Sequence, residues 1–278
     1  MYFYEWNQSE PFDRLIGVRQ GENLSPLLFS IFINDMEDFF KDRGCNELEF
    51  DNDVYISNIV KIMVLLYADD TILLADTPLD LQLALDSLDL YCEKWKLQVN
   101  SSKTKIMIFS KRKSKLLPKF TLKGQKLDIV DQFLYLGIIF SSNGSFVQCT
   151  KHVYKKAQNA MYALIKKGRE CNLPIDVYLN MFDSTIVPIL LYGCEVWGPS
   201  HAHTIEKLHL KFRKHILRLN RTTPNVMVYG ELGQCPLDIT IKVRMVTFWA
   251  RLLQGKSSNL SHNMYFILFN LFIKQMYI

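Results

Sequence analysis

Leu65-Leu66-Tyr67-Ala68-Asp69-Asp70-Thr71-Ile72-Leu73-Leu74 joins two apolar runs through a pair of adjacent carboxylates. From Ile59 to Leu66 the residues are almost all β-branched or aliphatic, the texture of a strand buried on both faces. Ile72 to Ala75 repeats that texture a few residues later, so the two runs are expected to pair as a hairpin with Ala68 and Asp69 near its tip. The turn has neither the Asn-Gly nor the Asp-Gly of a relaxed two-residue hairpin. Such a tip points to chemistry more than to turn propensity, unless a longer unstrained turn forms.

Adjacent carboxylates above an apolar sheet repel each other and lose solvation. Either one takes up a proton or a cation sits between them. No basic residue lies between Lys61 and Lys94, so no local side chain offers the counter-charge. Hard, oxygen-preferring Mg²⁺ is the natural choice, held by one or two carboxylates and by substrate phosphates. The plain alternative is a solvated Asp-Asp turn, a dipeptide common in loops.

Charge along the chain supports the cation. Residues 1–93 carry a net −14, residues 94–128 a net +10, and the remainder +9. An acidic portion able to hold metal precedes a basic portion able to hold phosphate, which suits a nucleic-acid enzyme better than a uniformly basic binding module. The alternative is that the lysines merely solvate a surface. At 278 residues and 49% apolar content, the chain can build one large or two medium cores. Its six cysteines are scattered without a C-x-x-C pair, which argues against structural zinc and against a disulfide framework. Reduced thiols and an N-terminus without a signal-peptide pattern suggest an intracellular protein, nuclear or cytoplasmic. Residues 264–278 are apolar but too short to span a bilayer and include Lys274, so no membrane partner is expected.

Gly17-Val18-Arg19-Gln20-Gly21 forms a glycine loop. Ser25 is expected to cap, and Pro26 to open, a helix running through Met36 that is apolar on more than one face and mostly buried. Amides ahead of that helix could meet a phosphate or a base, although such loops are often plain structure. Thr77-Pro78-Leu79-Asp80 is a helix start, followed by a core stripe of Leu81, Leu85, Leu88, Cys92 and Trp95. Asn100 to Lys105 makes a polar turn, and Ile106 to Phe109 is expected to return as a strand against the hairpin sheet. A second hairpin is expected over Gln125 to Phe140, with Asp131-Gln132 near its turn. Beyond it the texture is helical: Phe146 to Lys167 with one apolar face and lysines elsewhere, then a helix pair from Pro174 to Trp197 interrupted at Pro188, then a basic amphipathic stretch from Thr204 to Arg221.

These pieces together resemble the reverse transcriptases of non-LTR (LINE-type) retrotransposons. The matching residues are Gly17 to Gly21 with Leu24-Ser25-Pro26-Leu27-Leu28-Phe29, then Tyr67-Ala68-Asp69-Asp70, Asn100 to Lys105, Tyr135-Leu136-Gly137, and Leu191-Tyr192-Gly193-Cys194-Glu195-Val196-Trp197-Gly198. Group II intron polymerases share the Ser-Pro-Leu and Tyr-Ala-Asp-Asp pieces, but the continuation Thr71-Ile72-Leu73 and the Tyr-Gly-Cys-Glu-x-Trp-Gly segment favour the LINE type. The resemblance implies an α+β fold: a partial right-hand palm, an antiparallel sheet with packed helices, over residues 1–145 with a connection hairpin. A helical thumb-like region over residues 146–255 and an unassigned apolar tail over residues 256–278 would follow.

Function is implied in the same way. Polymerisation in that family is two-metal phosphoryl transfer on an RNA template, with a DNA primer and deoxynucleoside triphosphates. Asp69 would be a metal ligand and Asp70 its neighbour. Gln20, Gly21 and Tyr67 would line the incoming nucleotide and template. Lys103 would protonate the leaving pyrophosphate, Leu136 and Gly137 would grip the primer terminus, and Lys111, Arg112 and Lys113 would contact nucleic acid. Mg²⁺, or Mn²⁺ in its place, is implied once the site is complete.

One departure stands out. Family members carry a further metal-binding aspartate on a palm strand well before the Gln-Gly loop. Here sixteen residues precede Gly17, and their one aspartate, Asp13, lies too close to it. The chain therefore reads as the C-terminal part of a reverse transcriptase, starting inside the palm and expected to be inactive alone. The alternatives are a non-catalytic nucleic-acid-binding remnant that uses its basic thumb, and a decayed element that folds poorly. An acid tip in bulk solvent, away from the glycine loop and the lysines, would count against the polymerase reading.

Overall fold

In the computed structural model, the residues described are 21–50, 60–110, 117–255 and 260–264. Gly17 to Gln20, Lys111, Arg112, Lys113 and most of the tail fall outside them. In chain order the elements are α1 (Ser25–Phe32), α2 (Met36–Asp42), β1 (Leu48–Phe50), β2 (Val60–Ile62), β3 (Val64–Tyr67), β4 (Asp70–Leu73), α3 (Pro78–Trp95), β5 (Lys105–Ile106), β6 (Thr121–Leu122), β7 (Gln125–Lys126), β8 (Asp128–Ile129), β9 (Gln132–Tyr135), β10 (Ile138–Ser141), α4 (Val147–Glu170), α5 (Ile175–Leu190), α6 (Cys194–Ile216), α7 (Asn225–Leu232) and α8 (Leu237–Gln254). The architecture is mixed α+β, mainly helical with small two-stranded sheets. No described helix is long and apolar enough to cross a membrane. The chain divides into two compact units.

The first unit contains Lys61–Val99 together with the residues up to Phe50 and Thr121–Gly124. Its core gathers Ile33, Met36, Phe40, Met63, Ala84, Leu88, Tyr91 and Cys92. α3 begins as its sequence dictates: Thr77 is the N-cap, its hydroxyl oxygen accepting from the Asp80 amide at 3.1 Å, and Pro78 opens the first turn. Leu85, Leu88 and Cys92 of the expected stripe are buried, and Tyr91 is buried with them. Burial raises the Tyr91 pKa, helped by the hydrogen bond its hydroxyl donates to Asp35 at 2.5 Å.

Several expectations fail in this unit. α1 is largely exposed: Leu27 and Leu28 are exposed, Ile31 is 64% exposed, and the helix meets the core through Phe29 and through Phe32, whose ring stands edge-on to Trp95 at 5.1 Å. Apolar character all round reports a need for partners but does not supply them, and the buried turn belongs to α2 instead. Ser25 also lies inside α1; Leu24 holds the N-cap position without a side-chain hydrogen bond. From Val60 onward the apolar run is two short strands, β2 and β3, not one strand buried on both faces. Among the described residues β3 pairs only with β4, and the base of that ribbon meets the core while Leu66 and Tyr67 stay exposed.

The second unit holds the helical region and β5, β8, β9 and β10. Its core runs through Val153, Met161, Phe182, Ile186, Trp197, Leu208, Phe212 and Ile241, drawn from α4, α5, α6 and α8, with Ile138, Ile139 and Phe146 packed against it. Each such side chain taken out of water stabilises the fold by roughly 1.5–3 kcal/mol. The strand after Asn100 does not join the acid hairpin: β5 pairs in parallel with β8. Nor does the second hairpin turn at Asp131. β9 and β10 pair with Tyr135 opposite Ile138, so the turn is Leu136-Gly137, hidden inside one apolar run. Asp131 sits at the open end, where its carbonyl accepts from the Ser142 amide at 2.9 Å.

α5 also continues through Pro188. A proline in the last turns removes one hydrogen bond, and the face of Phe182, Ile186 and Leu190 is buried deeply enough to offset it. The break comes at Leu191 to Gly193, where Gly193 takes φ +67°.

Candidate functional site

The acid hairpin has the expected shape. Val64 pairs with Leu73, Leu65 with Ile72, Leu66 with Thr71 and Tyr67 with Asp70. Ala68 and Asp69 alone therefore make the turn. Ala68 adopts φ +52°, a conformation that a residue with a Cβ takes only at a cost. The stem is fixed by Val64 and Leu73 on the core and by the Leu74 amide donating to the Met63 carbonyl at 2.8 Å. The strained two-residue tip on an anchored stem sets two adjacent carboxylates side by side.

The tip is open to water. Tyr67 is 62% exposed, and Asp69 and Asp70 are both exposed. The loss of solvation expected from sequence does not occur in this unit, because the ribbon's tip rises beyond the core that covers its base. Gly21, with φ +85°, belongs to the same unit, and among the described residues no atom beyond its chain neighbours lies within 4 Å of where its Cβ would be. Its backbone angle is what requires glycine there, not a close neighbour.

Two carboxylates match the number of protein ligands that Mg²⁺ commonly takes. Among the described residues, however, no group of three or more His, Cys, Asp or Glu side chains is arranged to hold a metal. The described residues thus fit part of a two-ion centre and do not complete one.

The remaining site residues that can be placed belong to the second unit. Lys103 is exposed in the expected polar turn, its amide donating to the Asn100 side chain at 3.2 Å. Leu136 and Gly137 form the β9–β10 turn with φ +46° and +79°. Successive positive values twist a two-residue hairpin correctly, and Asn-Gly is the usual solution. A leucine at the first position is a costly one.

Tyr192, whose role no local sequence pattern reveals, supports that turn. Its hydroxyl donates to the Leu136 carbonyl at 2.8 Å, and a Cβ on Gly137 would lie 3.0 Å from its ring. The signal was present in the Tyr-Gly-Cys-Glu-Val-Trp-Gly segment, but no local pattern names a partner 56 residues away.

α4 presents Lys151, Lys155, Lys156, Lys166 and Lys167 as exposed cations. Lys211 donates to the hydroxyl of the exposed Tyr162 at 2.7 Å.

An acid-tipped hairpin in an α+β chain, followed by a helical unit with exposed lysines, is compatible with a nucleic-acid polymerase class. Residues 1–140 match the family described as reverse transcriptase (RNA-dependent DNA polymerase), and the chain belongs to it, in the branch found in non-LTR retrotransposons. It is 29% identical over 193 residues to a protein of Drosophila melanogaster named probable RNA-directed DNA polymerase from transposon BS, covering 66% of this chain and 20% of that one. The RNA-directed DNA polymerase from mobile element jockey of the same species is 24% identical over 213 residues, covering 73% and 22%. A Pol polyprotein from type-1 retrotransposable element R2 of Nasonia vitripennis is 31% identical over 219 residues, covering 75% and 20%. The chain thus spans about a fifth of the length of these relatives.

Proposed function

We propose that this chain supplies the Tyr-Ala-Asp-Asp hairpin and a primer-holding helical region to an RNA-directed DNA polymerase that copies an RNA template from a DNA primer with deoxynucleoside triphosphates. The observation that carries it is the Tyr67–Asp70 pairing, which leaves Asp69 at the strained, anchored tip with Asp70 beside it. In this proposal residues 1–145 are palm with connection hairpin, residues 146–255 are thumb-like, and residues 256–278 have no assigned role. Asp69 and Asp70 would hold Mg²⁺ or Mn²⁺, which when bound supplies Lewis acidity at the reacting phosphate. Gln20, Gly21 and Tyr67 would face the nucleotide and template. Lys103 would carry a proton toward the leaving pyrophosphate, and Leu136 and Gly137 would hold the primer end.

Two carboxylates without a third nearby among the described residues lead to a definite expectation. The 278-residue protein alone extends no primer, yet it binds Mn²⁺ through the acid pair in the presence of a primer–template. Electron paramagnetic resonance titration of Mn²⁺ checks this, with Asp69→Asn expected to abolish the bound signal. A bound signal indifferent to both Asp69→Asn and Asp70→Asn would overturn the metal role. Asp69-dependent primer extension by the lone chain would overturn the expected inactivity.

The exposed lysines of α4 favour a second reading, a non-catalytic binder of nucleic acid. It requires salt-sensitive RNA or DNA binding that weakens on charge reversal at Lys111, Arg112 and Lys113 and ignores Asp69→Asn. A flat salt dependence would dismiss it.

A further inference from the structure

The Leu136–Gly137 turn is held from outside its own hairpin. A bulky residue at φ +46° followed by glycine at φ +79° persists only where its surroundings over-determine it. Those surroundings come from the junction between α5 and α6. Tyr192 reaches back to the turn, its hydroxyl donating to the Leu136 carbonyl at 2.8 Å while its ring covers Gly137. The junction is itself fixed. The Trp197 indole, 2% exposed, donates to the Tyr192 carbonyl at 2.9 Å. Gly193, with φ +67°, lies so close to Ile138 that a Cβ would come within 2.7 Å of Cδ1.

Tyr192 and Leu136 nevertheless remain exposed. A hydroxyl spent on a surface backbone carbonyl adds little to folding, since water could serve that oxygen. Its specific effect is to set the direction in which the turn points.

We infer that Tyr192 is a positioning residue for the primer end: it fixes the Leu136–Gly137 backbone against the terminal sugar-phosphate of the primer strand. The inference rests on the proposed primer-holding role of that turn. It gives the Tyr-Gly-Cys-Glu-Val-Trp-Gly segment a physical task, with tyrosine as the strut, Gly193 as the close approach to the hairpin, and Trp197 as the anchor.

Tyr192→Phe in the 278-residue protein tests it, because the ring stays and only the hydroxyl is lost. Fluorescence anisotropy compares a primer–template with a recessed 3′ end, a blunt duplex of equal length, and single-stranded RNA. The wild type is expected to prefer the recessed end. Tyr192→Phe is expected to lose that preference by about three- to ten-fold, the scale of one ordinary hydrogen bond, with RNA affinity and melting temperature unchanged. A wild type without preference removes the primer-holding role, and this inference with it. A wild type with preference that Tyr192→Phe retains leaves that role standing and overturns the part given to Tyr192. Should Tyr192→Phe melt lower, hydrogen exchange decides: faster exchange confined to the peptide spanning 133–140 supports the strut, and unchanged exchange there overturns it.

Discussion

Arg213 Nη2 donates to Asp183 Oδ1 at 2.6 Å, tying α6 to α5 inside the second unit. The guanidinium is 1% exposed, lies 4.9 Å from the centre of the Phe182 ring, and donates through Nε to Gln234 at 2.9 Å. Removing the carboxylate would leave a buried cation short of its partner, which is costlier than the pair is valuable. Because the Asp183 side chain is 41% exposed, water can enter and soften the loss. Asp183→Ala is expected to destabilise the protein by about 2 kcal/mol, read as a lower urea midpoint at unchanged slope.

Acid should weaken the same helices through His209. Its ring is almost fully buried and contacts Glu206 and the Tyr229 hydroxyl through Nδ1, at 3.1 and 3.2 Å. Arg213 and Asp183 also face it electrostatically. Burial is the largest influence and lowers its pKa, against the opposing pull of Glu206. A histidine with a depressed folded pKa takes up its proton more readily when unfolded, so stability is full above the unfolded pKa of about 6.5 and falls as pH drops toward the folded value. Melting temperature should therefore decrease as pH falls from 7 through the window below 6.5, and His209→Gln should flatten that decline. An equal decline in both proteins would assign the effect to other groups.

How much of this was legible in the sequence depended on whether the signal was local. Thr77-Pro78-Leu79-Asp80 specifies a helix start from residues in mutual reach, and α3 begins there. The acid hairpin was legible because two apolar runs flank a break too short for anything but a turn. The second hairpin was not, because Leu136 carries no turn signature and Gly137 alone could not mark the reversal within Phe133 to Phe140. α1 illustrates the opposite failure. Its apolar residues foretell burial, but which surface buries them is a property of the assembled chain, and in this unit the core is completed by α2 and α3. The acid pair stood out from its own residues, and family resemblance added a role for Leu136 and Gly137 but not the turn they make, whereas Tyr192 required three dimensions.

The cap of α3 can be tested directly. Thr77 accepts from the Asp80 amide and bonds the Asp80 carboxylate, which also accepts from Asn46 at 2.8 Å. These bonds, that to Thr77 first, hold the Asp80 pKa below its ordinary value. Thr77→Ala is expected to cost about 1 kcal/mol, and Thr77→Ser much less. Thermal melts of the two variants check this, and equal losses would show that the methyl group and not the hydroxyl matters.

Gly168 offers a case where two effects of opposite sign compete. It lies in the last turns of α4, where replacing glycine by alanine ordinarily stabilises a helix by up to about 1 kcal/mol. Here a Cβ would overlap the ring and hydroxyl of Tyr178. That ring is buried, contacts Phe212 at 6.5 Å between centres, and is tethered by its hydroxyl to the Ile165 carbonyl at 3.2 Å. It has little room to swing aside, and overpacking of this kind costs about 1–3 kcal/mol. Gly168→Ala should therefore destabilise on balance despite its helix propensity. Combining it with Tyr178→Leu should recover part of the loss, because the smaller side chain leaves space for the methyl group. A double-mutant cycle by urea unfolding measures that coupling, and strictly additive losses would mean that the two residues do not compete for the same volume.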